Sequence, residues 1–77
     1  MIFKVFYQEN KDTTPRRENT YSMYVEVDAT EVLEGTILLR ELIMSKTNYR
    51  IEFMDALTGG ALEYEKENAP FKLTEIK

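Results

Sequence analysis

Near its start the chain reads Ile2-Phe3-Lys4-Val5-Phe6-Tyr7-Gln8, and this run restricts the possible folds more than any other stretch. β-Branched and aromatic residues crowd it, so it favours a strand. Alternation along a strand puts Phe3, Val5 and Tyr7 on one face and Ile2, Lys4, Phe6 and Gln8 on the other. Aromatic side chains on both faces call for cover on both, so this strand should be central or covered on each side. The chain has 77 residues to provide that cover. A core of this size is marginal, and with no cysteine in the sequence no disulfide can reinforce it.

The remaining elements follow from local pattern. Residues 9–19 are nearly all polar and read as an exposed loop, long for a hairpin, in which Pro15 stiffens the approach to Arg16 and Arg17. In residues 20–27, Tyr21, Met23, Val25 and Val27 alternate with Ser22, Tyr24 and Glu26. That period of two predicts a strand with a core face and a second face, carrying Tyr24, that is wet or turned to a partner. It should pair antiparallel with the first strand. Asp28 and Glu31 resemble a capping box and predict a helix from Asp28 to Ser45 or Lys46.

On a helical wheel Val32, Leu39 and Ile43 fall together. Leu33, Ile37 and Met44 form a neighbouring stripe, and Leu38 with Leu42 lies on the other flank. This arc is wider than one sheet-facing stripe needs. Either the rest of the chain wraps around it, or one flank docks on a larger protein. Gly35 marks either a close backbone approach or a tolerated accident. Residues 49–57 read as a third strand with a phase slip after Asp55. Thr58-Gly59-Gly60 then reads as a tight turn into a returning strand at 61–65, with Leu62 and Tyr64 on one face and Glu63 and Glu65 on a solvated one. Phe71, Leu73 and Ile76 close a short extended segment.

These elements predict an α+β fold. It is a small two-layer domain with one helix packed on a largely antiparallel sheet of four or five short strands, in the order β-β-α-β-β. No repeat or low-complexity stretch interrupts it, and residues 1–77 read as a single domain.

The residue inventory excludes most chemistry. With neither cysteine nor histidine, nucleophile–base pairs of the Ser-His-Asp and Cys-His kinds are absent, and so are the usual ligands of zinc. No loop has the acidic spacing of a calcium site, and Gly59-Gly60 lacks what a phosphate loop requires. No catalytic residue, cofactor or metal is therefore expected. A net charge of −4 argues against a nucleic-acid binder, although strand tyrosines could stack on bases. No run is long and apolar enough for a membrane span, and no targeting signal is visible, so the expected location is the cytoplasm.

Protein binding is the easier role to defend, because tyrosine and arginine are favoured at interface hot spots. The candidate partner-binding residues are Pro15, Arg16, Arg17, Tyr24, Leu38 and Leu42. The two arginines could grip carboxylates of a partner, or pair internally with Glu18 or Glu9.

Several stretches carry a resemblance. They are the N-terminal strand, the loop Pro15-Arg16-Arg17-Glu18-Asn19-Thr20, the helix entry Val27-Asp28-Ala29 and Leu33-Glu34-Gly35. The rest are Tyr49-Arg50-Ile51-Glu52-Phe53, Leu62-Glu63-Tyr64-Glu65-Lys66 and Phe71-Lys72-Leu73-Thr74-Glu75-Ile76. In order, spacing and total length they resemble the epsilon subunit family of bacterial RNA polymerase, in its streptococcal and lactic-acid-bacterial branch. The stretch from Thr36 to Met44 departs from that family by being more apolar.

The resemblance implies a non-catalytic accessory subunit of a nucleotidyltransferase complex, partnered by the α, β and β′ core subunits and without direct contact to nucleic acid. It also implies a fold similar to that of a small phage-encoded polymerase inhibitor, with docking on the outside of the largest subunit. The rival readings are an independent module that antagonises or shields a polymerase surface, and a single-stranded nucleic-acid binder.

Overall fold

In a computed structural model that describes residues 1–10 and 19–76, the first strand is the middle one of three. β1 (Ile2–Gln8) lies between β2 (Thr20–Glu26) and β3 (Arg50–Leu57), in the order β2-β1-β3. Both pairings are antiparallel, with Phe3 opposite Val25 on one side and Ala56 on the other. The element order is β1, β2, α1 (Val32–Lys46), β3, α2 (Gly60–Asn68).

The face with Phe3 and Val5 is packed against α1. Phe3, Val5, Met23, Val25 and Val27 bury themselves against Leu39 and Ile43, and Tyr49, Ile51, Met54 and Ala56 close the rim. Leu39 and Ile43 are fully buried, each contributing about 1.5–3 kcal/mol of hydrophobic stabilisation. Gly35, one helical turn before Leu39, sets how closely α1 can approach. A Cβ built at Gly35 would lie 2.7 Å from Phe3 Cε1 and 2.9 Å from its Cζ. Of the two sequence readings of this glycine, close approach is the one the packing supports.

The second face of the sheet is also covered. Leu57 and Tyr24 are buried there, and Glu65 of α2 and the Phe71 ring cover Tyr24. Tyr24 pairs with Leu73 in a parallel bridge, and Thr74 N–H donates to the Tyr24 carbonyl at 2.7 Å. Leu73 and Thr74 thus lie against the β2 edge, and Ile76 packs on the core beyond it.

Four sequence expectations are corrected. The fold has three strands and two helices among the described residues, not four or five strands and one helix. Residues 61–65 lie inside α2 rather than forming a returning strand. Two apolar residues two apart, Leu62 and Tyr64, are too few to fix a period. The half-buried positions are instead Leu62, Glu65 and Ala69, at helical spacing.

α1 starts at Val32 with Glu31 as its N-cap and no side-chain capping bond, so Asp28 caps nothing. Its end at Lys46 agrees with expectation; Thr47 closes it by donating both N–H and Oγ1 to the Ile43 carbonyl.

The phase slip in β3 sits at Glu52, not after Asp55. Tyr7 faces Ile51 while Phe6 faces Phe53, which leaves Glu52 as the extra residue of a bulge. Met54 and Ala56 thereby turn inward with Ile51, and Phe53 turns out, where it is 59% exposed beside Phe6.

Candidate partner-binding surface

Local chemistry sets what each face of the molecule can offer. On the α2 side, Lys4 Nζ donates to both oxygens of Glu65, at 3.0 and 3.3 Å. The Tyr24 hydroxyl donates to Glu65 Oε2 at 2.8 Å. These bonds, Tyr24's first and then Lys4's, hold the Glu65 carboxyl below its ordinary range. Burial disfavours the Lys4 charge, but the bond to Glu65 and the neighbouring Tyr24 outweigh it and raise its pKa. Burial, together with the bond to Glu65, pushes the Tyr24 hydroxyl up. Phe71 packs on the Tyr24 ring with centroids 4.6 Å apart. Glu65, expected on a solvated strand face, is instead the residue that fastens α2 to the sheet.

Tyr24 itself is 6% exposed and is engaged within its own chain, on the face of the sheet away from α1. Pro15, Arg16 and Arg17 lie outside the described residues. Gln8, at the near end of that segment, is fully buried. Its Nε2 donates to Thr20 Oγ1 at 2.7 Å, and its Oε1 has no hydrogen-bond partner among the described residues.

On α1, Leu38 is 43% exposed and lines a shallow depression with Glu31, Leu33, Glu34 and Ile37. Leu42, one turn on, is half-buried. It lines a different depression, formed with Val25, Leu73 and Ile76, so the chain's own C-terminal segment takes part of that flank. The structure therefore separates the expected residues: Leu38 is open, Leu42 is partly covered, and Tyr24 lies behind the sheet.

The most open apolar residues of α1 are on the other stripe. Leu33 is 72% exposed, Ile37 50% and Met44 58%. The signal that could have singled them out is Gly35. With Leu39 and Ile43 it marks the inward direction at i, i+4 and i+8, and Leu33, Ile37 and Met44 point well away from it.

Three of the five tyrosines are engaged within the chain, while Tyr21 and Tyr64 are exposed. Tyr7 and Tyr49 stack on each other with centroids 4.4 Å apart, and Tyr24 is buried. Among the described residues no cluster of three or more acidic side chains is placed to hold a metal. Among them, too, no helix is long and apolar enough to cross a membrane.

Comparison with known proteins adds what geometry alone does not. A family model described as RNA polymerase epsilon subunit matches residues 2–75. The chain belongs to the RNA polymerase epsilon subunit family. Relatives named DNA-directed RNA polymerase subunit epsilon include one from Streptococcus gordonii strain Challis, 55% identical over 76 residues, which cover 99% of this chain and 100% of the relative. Others come from Streptococcus thermophilus strain LMD-9, at 53% identity, and Streptococcus pyogenes serotype M5, at 51%, both with the same coverage. The stretches that carry the resemblance fall on structurally distinct places. Leu33-Glu34-Gly35 opens α1, Leu62-Glu63-Tyr64-Glu65-Lys66 lies in α2, and Phe71 to Ile76 is the segment that passes the β2 edge.

Proposed function

We propose that this chain is a single-domain, non-catalytic accessory subunit of bacterial DNA-directed RNA polymerase, working in the cytoplasm. It binds the assembled core of α, β and β′ subunits, and stabilises or modulates that assembly while the large subunits carry out nucleotidyl transfer. The observation that carries this reading is the match to subunit epsilon over the full length of its relatives. An apolar helix surface beyond what the chain's own core uses supports it. Contact is made by the Pro15-Arg16-Arg17 loop and by the Leu38 side of α1, with Leu42 at the margin of that contact.

Mixing the chain with purified core polymerase tests the reading by gel filtration. Co-elution at one copy per core is the expected result; elution of the chain alone, in moderate salt, sinks it. Within that experiment Arg16→Glu with Arg17→Glu should weaken binding and leave the thermal midpoint within about 3 °C. Unchanged binding would remove the loop from the contact. Leu38→Asp should lower affinity with the helix signal intact; unfolding instead would assign Leu38 to the core.

A further inference from the structure

The open stripe of α1 has an internal order. Leu33, Ile37, Arg40 and Met44 follow one another at steps of four, three and four, the spacing of a coiled-coil seam. The seam covers about 16 Å of helix at 1.5 Å per residue. All four residues are exposed, and none belongs to the core cluster. Glu34 and Glu41 are the residues immediately after Leu33 and Arg40, so both border the seam on the same side. No ion pair among the described residues occupies Glu34, Arg40 or Glu41. The backbone of a helix is already hydrogen-bonded, so a strand cannot be added here. An occupant must bring its own closed backbone, and a second helix laid along the seam does so.

Charge decides which helix. A second copy of this chain packed antiparallel would set Glu34 and Glu41 against the same two residues of its partner. Packed parallel, it would set Glu41 against Thr36, which is half-buried, and Glu34 against Ala29, which lies before the helix. Neither arrangement neutralises the acidic border, and in an antiparallel seam Arg40 would meet Ile37 and find no carboxylate.

We propose that the Leu33–Ile37–Arg40–Met44 seam docks an amphipathic helix of another protein. That helix is apolar along its contact stripe, carries Lys or Arg beside Glu34 and Glu41, and places an acidic residue near Arg40. The inference rests on the subunit reading, which makes that helix part of the polymerase core.

The test uses full-length chain and purified core polymerase, with affinity measured by fluorescence anisotropy. Leu33→Asp with Ile37→Asp should weaken binding about thirtyfold or more, the loss expected from one interfacial hot spot. Glu34→Lys with Glu41→Lys should weaken it about tenfold at low salt and less at high salt. These charge variants lie on the solvent side and carry the test alone if the apolar pair fails to fold.

A photo-crosslinker at Ile37 should label a core-subunit helix that has basic residues on one border. Core binding that both variants leave intact overturns the seam and spares the subunit reading. Labelling of a strand, a loop or a second copy of this chain also overturns the seam. Failure of the wild-type chain to bind core overturns both.

Discussion

Gly35 shows how one missing side chain can fix a whole packing distance. Phe3 is 1% exposed beneath it and cannot swing away from an added methyl 2.7 Å from its ring. Gly35→Ala gains about 1 kcal/mol in helix propensity, but overpacking of a filled core costs about 1–3 kcal/mol. The net effect should be a lower thermal midpoint, by a few degrees in calorimetry; a raised midpoint would mean that α1 can lift away from the sheet freely. The sequence offered a glycine in mid-helix and hence the idea of close approach. It could not say that Phe3 was the residue approached, because that contact joins positions 32 apart along the chain. Tyr24 teaches the converse. Its alternation with Met23 and Val25 was legible, but the cover supplied by Glu65 and Phe71 was not.

At the scale of elements, α2 departs most from what its sequence suggested. Leu62-Glu63-Tyr64-Glu65 alternates like a strand, and only neighbouring structure tells that Glu65 must face inward while Tyr64 does not. Because α2 has no fully buried residue, the bonds from Tyr24 and Lys4 to Glu65 matter to its docking. The Glu65 pKa lies below its ordinary value of 4.5. Its contribution to stability is therefore fully present above about pH 4.5 and is lost as pH falls through the folded-state value. Lys4 and Tyr24 have raised pKa values. Their contributions are present below their ordinary values of 10.5 and 10.0 and are lost as pH rises through the folded-state values. Urea denaturation at a series of pH values should show a neutral plateau, and Glu65→Gln should flatten its acid side relative to wild type. An unaltered acid side would mean that α2 docks without this carboxylate. The strands and the end of α1 were legible because their periods of two and of about 3.6 run long enough to be counted. The start of α1 was not, because Asp28 and Glu31 imitate a capping box on a segment that stays non-helical until Val32.

For the molecule as a whole, the sequence reads the first strand as central or covered on both sides, yet the architecture it predicts is two layers with one helix, and it misses the second helix. The structure supplies α1 on one face and α2 with Phe71 on the other, while the chain then passes the β2 edge and Ile76 packs on the core of the α1 face. This arrangement implies an order of stability. β1 is hydrogen-bonded on both sides along its length, whereas α2 rests on a few polar bonds. In hydrogen exchange the β1 amides should be the slowest, opening only with global unfolding, and the α2 amides should exchange through local opening well before them. Comparable protection in α2 and β1 would mean that the two faces open as one unit. The candidate surface was legible only in outline. Periodicity showed that α1 had more apolar surface than one sheet could use, but the choice between its flanks depended on where the chain's own last residues lie. They settle beside Leu42 and leave Leu33, Ile37 and Met44 open.

The bulge at Glu52 has a meaning for life in a crowded solution. A sheet of three strands has two borders, and an oily protein with ready borders tends to grow into fibres by adding strands from its neighbours. Along β2 the border is interrupted at Tyr24 by the Thr74 bond and the Leu73 bridge. Along β3 the extra residue bends the strand partway down its length, so a newcomer finds no long straight rail. The molecule can thus leave Leu33, Ile37 and Met44 of α1 in the open while giving its own copies few strand borders to stack upon.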